Sequence, residues 1–293
     1  MLEIRDNSKS KRISQSIMFM VFRTFSFSVA GTLILILGFI MIKGMSAISW
    51  GFLTKMPTEG MTAGGILPAI VGTLILVFGS ILFAFPIGVL SAIYNVEYAR
   101  NKRFKNFIRI MTSNLAGIPS IVFGLFGMTL FVNTLKFGDS IIAGSLTLGI
   151  MVLPIIIRTT EESLNSVSQS FRHASLALGA TKWQTTRKVV LPIALPNILT
   201  GLILSIGRVS GETAPILFTV AAYFLPKLPS SPFDQVMALP YHLYVISTSG
   251  TQIELSRPLA YGTAMVLIVI VLLANFGANL LRRRFSKKFK VSQ

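Results

Sequence analysis

The sequence predicts an all-α membrane protein, a bundle of six transmembrane helices with both termini in the cytoplasm, and three observations predict it. Hydrophobic residues make up 52% of the 293 and charged residues only 13%, about half the charged share of a soluble domain. The apolar residues come in runs of about 18 to 30, and about 20 helical residues cross the hydrocarbon of a bilayer. Basic residues gather between the runs on alternate sides, as the positive-inside rule requires.

The runs place spans at about 24–42, 66–95, 107–135, 140–157, 192–220 and 259–281. The first follows a basic tail over residues 1–23; its 19 apolar residues and the lack of a small-x-small cleavage site mark a retained span rather than a signal peptide. With its outer loop it fills residues 24–63. The second run is longer than a bilayer needs and contains Pro68 and Pro86, so it tilts, kinks or begins as a surface helix. Of the 27 basic residues, 21 fall in the N-terminal tail, the second and fourth loops, and the C-terminal tail over 282–293. The opposite side has only Lys43, Lys55, Lys136, Lys227 and Arg257. The net charge of +17 thus serves topology and attraction to anionic lipid rather than nucleic acid.

There is no cysteine, which excludes disulfides, thiolate metal sites and thiol nucleophiles. The two histidines, His173 and His242, fall on opposite sides of the membrane, so no metal site is expected. No phosphate-binding loop motif occurs, so any ATP that drives this protein is bound by another chain.

Two segments carry the functional signal. After the fourth span the chain spends residues 158–191 in the cytoplasm, where Phe171, Ala174, Leu178 and Trp183 form an apolar patch on a short helix stopped at Gly179. Periodicity alone leaves open a helix lying on the membrane or on its own protein and one that docks a partner. In the fifth span Arg208 and Glu212 are the only charged pair well inside an apolar run, four residues apart. Gly201, Ser205, Arg208, Glu212, Pro215 and Thr219 follow helical spacing and predict one small, polar stripe. An ionisable group at that depth costs about 2.5–3.5 kcal/mol, so the stripe faces protein or water. It lines a substrate pathway or packs against a helix around a structural ion pair. In the outer loop, 221–257, the apolar stretch 236–246 is too short to span; it is a surface helix at the outer face or a connector packed on the bundle.

The stretch from His173-Ala174-Ser175 to Gly179, followed nine residues later by Val189-Val190-Leu191-Pro192, resembles the E-A-A-x-x-x-G-x9-I-x-L-P loop of bacterial ABC importer permeases of the MetI-like class. His173 replaces the usual glutamate and Ser175 the second alanine. The resemblance implies that His173, Ala174, Ser175, Leu178, Gly179, Leu191 and Pro192 belong to a coupling loop seated in a groove of a separate ATPase subunit. Gly207-Arg208-Val209-Ser210-Gly211-Glu212-Thr213-Ala214-Pro215 resembles the G-R-A-x-G-E-T-A-P signature of the PstA family of phosphate-importer permeases. Gly72-Thr73, Pro86-Ile87-Gly88, Tyr94-x-x-Glu97-Tyr98 and the segment Gly117 to Gly124 resemble the same family.

These matches imply a permease core over residues 64–281 in a bacterial or archaeal cytoplasmic membrane. They imply a phosphate pathway with Arg158, Glu161 and Arg208, to which Glu212 adds a partner that keeps Arg208 from trapping the anion. They imply as partners a PstC-type permease, two ATPase subunits that use ATP and Mg, and an external phosphate-binding protein, which the outer loop helps receive; this chain itself has no cofactor and no catalysis. The alternatives are a phosphonate or sulfate importer permease, a proton-coupled carrier using Glu212, and an intramembrane enzyme, for which no histidine or carboxylate stands near a plausible serine within the spans.

Overall fold

The computed structural model describes residues 8–248 and 253–288. Arg5 and Lys290 of the two basic tails lie outside the described residues, as do residues 249–252 of the outer loop.

Helix α1, Ser8–Met45, is continuous through most of the region expected as a separate tail, because no proline or glycine interrupts it before Gly31. It packs mainly on the last helix, through Phe39 edge-on to Tyr261 at 5.7 Å. A short α2, Trp50–Thr54, and a two-stranded ribbon, β1 (Pro57–Thr58) against β2 (Ala63–Gly64), cap the outer end. Helix α3, Leu67–Ile93, begins with Pro68 in its first turn, where the missing N–H costs nothing, and runs into a π-helical turn, Tyr94–Tyr98.

The expected third span, 107–135, is not one helix. It consists of α4 (Lys102–Ala116) and α5 (Ser120–Gly127), the latter extended by a π-helical segment to Thr134, and the two parts meet at 101°. Gly117 and Pro119 at the joint break the backbone ladder. Among the described residues five helices are long and apolar enough to cross a membrane, and this bent pair makes the sixth when taken as one span.

Helix α6, Ile141–Asn165, is the central element, burying Leu148, Val152 and Ile156 against α3 and against α9, Leu191–Ser210. It extends eight residues past the expected end at 157. Between α6 and α9 come α7 (Gln169–Ala177), α8 (Lys182–Thr185) and a π turn, Thr186–Val190. This turn ends two residues before Pro192, whose ring nitrogen cannot donate to the carbonyl four residues back, and the wider winding accommodates that loss. After α9 a short α10, Ala214–Leu217, leads to the outer loop, where α11, Leu239–Thr248, packs on the bundle with Leu239, His242, Val245 and Ile246 buried. Helix α12, Ile253–Lys288, completes the bundle.

Candidate functional site

The charged pair stands where a helix stops. Helix α9 ends at Ser210, and the amides of Gly211 and Glu212 donate to the carbonyls of Arg208 and Val209, each at 3.3 Å. Pro215 has no N–H to continue the ladder and instead occupies the first turn of α10. The single stripe expected from Gly201 to Thr219 is therefore broken at Gly211, and the expected span 192–220 ends ten residues early as a helix. Gly201 and Ser205 are buried, and the bare Cα of Gly201 lets α9 close onto Thr159 of α6. That half of the stripe is a helix-packing seam. Only Arg208 and Glu212 stand at the open end: Arg208 Nε lies 3.6 Å from Glu212 Oε1, with the side chains 41% and 17% exposed. At that distance the groups attract without a hydrogen bond, so the pairing is loose. The far side of the break is held by α5, where Gly124 admits the backbone of Ala214 and Pro215.

Arg158 and Glu161 lie on the cytoplasmic extension of α6 rather than in a loop, a correction to the expected boundary. With Glu162 and Asn165 they face Lys105, Arg109, Thr112 and Ser113 on α4 across a cavity of about 180 Å³. Both sets follow helical spacing, so two polar helix faces oppose each other. Glu161 Oε1 accepts from Asn95 Nδ2 at 2.9 Å. Thr159 meets Gly201, so Arg158 stands near the level of Gly201, and Arg208 lies seven residues beyond it on α9, about 10 Å of helix rise. The structure thus places the four expected pathway residues in two stations rather than one.

The segment after α6 folds as a capped helix. Ser168 accepts from the Ser170 amide at the N-terminus of α7. At the C-terminus Gly179 has φ +82°, its amide donates to Leu176 O at 3.0 Å, and the Ala180 amide donates to Ser175 O at 3.2 Å, the Schellman arrangement. The expected stop at Gly179 is thus present, for the expected reason. Phe171, Leu178 and Trp183 are exposed, Leu178 to 89%, and His173 and Ala174 share the open surface. Ser175 explains its departure from alanine: its hydroxyl pairs with that of Thr185 at 2.9 Å and ties α7 to α8. Leu191 packs into the cytoplasmic core cluster, and Pro192 opens α9.

Sequence reasoning missed the anchor of this helix. Arg172 is buried, and its guanidinium donates to Glu97 Oε1 at 2.7 and 3.1 Å, to Val167 O at 2.7 Å and to Leu164 O at 2.8 Å. Glu97 was noted only within its motif, and nothing local announces a partner 75 positions away.

Residues 84–291 match the family described as binding-protein-dependent transport system inner membrane component. The chain belongs to this family. As a binding-protein-dependent transport component it is a multi-pass inner-membrane protein and a transport subunit. It is 36% identical over 283 residues to the phosphate transport system permease protein PstA of Mycobacterium leprae, covering 94% of this chain and 91% of that one. It is 35% identical over 272 residues to the probable ABC transporter permease protein YqgI of Bacillus subtilis, covering 89% and 92%. Among solved structures, a bacterial ABC transporter that imports the acidic polysaccharide alginate shares the fold, with TM-score 0.64 at 17% identity over 93% of this chain and 99% of that one. An inward-facing MetNI methionine ABC transporter does so with TM-score 0.57 at 18% identity, over 75% and 94%. In this transport component two of the segments singled out in the sequence touch each other, Gly124 meeting Ala214 and Pro215, while a third packs on the outer loop: Gly72 makes room for Met237 O and Thr73 accepts from the Leu239 amide at 2.8 Å.

Proposed function

We propose that this chain is the PstA-type permease subunit of an ATP-driven phosphate importer, forming with a PstC-type permease the route for inorganic phosphate across the cytoplasmic membrane. The observation that carries the reading is the segment Gly207–Pro215, which sets one loosely paired guanidinium at a helix break within the spans. The chain that bears it is about 35% identical to several proteins named phosphate transport permeases. Phosphate carries one to two negative charges and needs fixed donors to leave water; the planar guanidinium fork matches its oxygens. Glu212 competes for Arg208, so binding stays weak enough for release. Arg158 and Glu161 form the second station, at the cytoplasmic cleft.

The exposed patch of α7 and Trp183 docks one of two ATPase subunits, which bind ATP with Mg; no nucleotide site is assigned to this chain. Leu178 and Trp183 supply apolar contact there, Gly179 the sharp turn, and His173 stands where a polar contact to the ATPase belongs. On the outer side the loop 221–257 receives the phosphate-loaded binding protein. Closure of the ATPases tilts α7 and switches access to the pathway from outside to inside. The test is uptake by the reconstituted importer with Arg208→Lys, which keeps the charge and removes the fork. ATP-dependent phosphate uptake is expected to fall at least about tenfold, and full retention would sink the assignment of Arg208.

A further inference from the structure

The buried polar contacts of the cytoplasmic half form a connected chain from α7 to the cleft. At one end Arg172 and Glu97, each side chain 9% exposed, make a two-pronged ion pair, and Arg172 also holds the end of α6 through the Leu164 carbonyl and the turn after it through that of Val167. Glu97 belongs to the π turn Tyr94–Tyr98. Two residues earlier on the same turn Asn95, 1% exposed, donates to Glu161 at 2.9 Å, and its own Oδ1 has no partner. The amide is therefore held by one bond, and that bond ends on a carboxylate of the cleft.

This bond has a consequence for charge. Glu161 stands three residues after Arg158, one helical turn, within reach of it on the same face. Yet among the described residues Arg158 has no ion pair, and Glu161 is engaged by Asn95. Glu162, four residues after Arg158 and lining the same cavity, makes no ion pair with it among the described residues either, so Arg158 is left open to an anion beside Lys105 and Arg109.

We propose that Asn95, Glu97 and Arg172 are positioning residues for transport: they set Glu161 away from Arg158 and release it when α7 moves. A rigid buried ion pair carries displacement of α7 to the π turn; withdrawal of Asn95 frees Glu161 to pair with Arg158 and expel the bound phosphate. π turns are one residue wider than α turns, and a local shift between the two windings supplies a discrete second state. The inference rests on the readings of α7 as the ATPase-docking helix and of Arg158 and Glu161 as phosphate contacts.

The assembled importer in liposomes, with binding protein, ATP and radiolabelled inorganic phosphate, tests this with Asn95→Leu, Glu97→Gln and the double variant. Compared per assembled complex, each single variant is expected to keep ATP hydrolysis, while phosphate moved per ATP falls about tenfold. The double variant is expected to be no worse than either single one, because both break the same link. Uptake and hydrolysis falling together with complex yield would reduce these residues to a structural role, and overturn the proposal; so would an unchanged ratio of phosphate to ATP, or losses that multiply in the double variant. Arg158→Gln is the separate control: full uptake by that variant would remove the cleft from the pathway, a failure of the underlying reading rather than of the relay.

Discussion

At Thr73 one hydroxyl serves two elements: it donates to Ala69 O at 2.7 Å and accepts from the buried Leu239 amide at 2.8 Å. Thr73→Val keeps the shape and orphans that amide, which costs about 1–3 kcal/mol. The expected result is a lower melting temperature in detergent, and an unchanged one would show that Leu239 finds another acceptor. His242 presents the opposite case, a buried titratable group whose Nδ1 has no partner. Burial lowers its pKa from 6.5 to about 4. Between those values the unfolded chain binds a proton that the folded one refuses, so the stability is complete above the unfolded pKa and drains as pH falls toward the folded one. Melting temperature should therefore drop across that window, and His242→Leu should flatten this part of the profile. In the same loop Asp234 has a lowered pKa because the amides of Ser230 and Ser231, then the Ser230 hydroxyl, donate to it. Such groups were visible in the sequence as letters, but their surroundings were not.

Among elements, α7 shows most clearly how local and distant information divide. Its start at Ser168 and its Schellman stop at Gly179 follow from short-range chemistry that the sequence displays. Its attachment does not, because Arg172 reaches Glu97 across 75 positions and Asn95 reaches Glu161 across 66. Arg172→Met removes the fork and leaves Glu97 buried without its counter-charge, a loss of about 3–5 kcal/mol. Hydrogen exchange over residues 169–177 should then rise markedly, and unchanged protection would mean that the Ser175–Thr185 contact alone holds the helix. The end of α9 teaches a related lesson. Gly211 and Pro215 are a stop signal in the sequence, and they override the helical spacing of the polar residues around them. The same holds for Gly117 and Pro119 at the joint of α4 and α5.

The whole molecule leaves apolar surface on two sides for two different reasons. The spanning part of α1 is unburied within the chain, as a helix facing lipid or a second permease requires. Leu178 and Trp183 are exposed beside α7, on the surface proposed to dock the ATPase subunit. Leu178→Asp changes a side chain that packs against nothing within the chain, so folding should survive while co-purification with the ATPase subunit is lost; retained binding would remove α7 as the docking element. By itself the sequence determined the fold class, the approximate spans and the orientation its basic loops imply, and it singled out the two segments on which the proposed function rests. Partition between lipid and water depends on composition along the chain, and charge asymmetry sets orientation, so both are local quantities. Only the tertiary structure decided that Arg208 and Glu212 flank a helix break, that Arg158 and Glu161 belong to a separate cleft with Lys105 and Arg109, and that Arg172, Glu97 and Asn95 join that cleft to α7. Those outcomes depend on side chains meeting across tens of residues, where packing of one helix against another selects the partner, and no periodicity within a single segment encodes that choice.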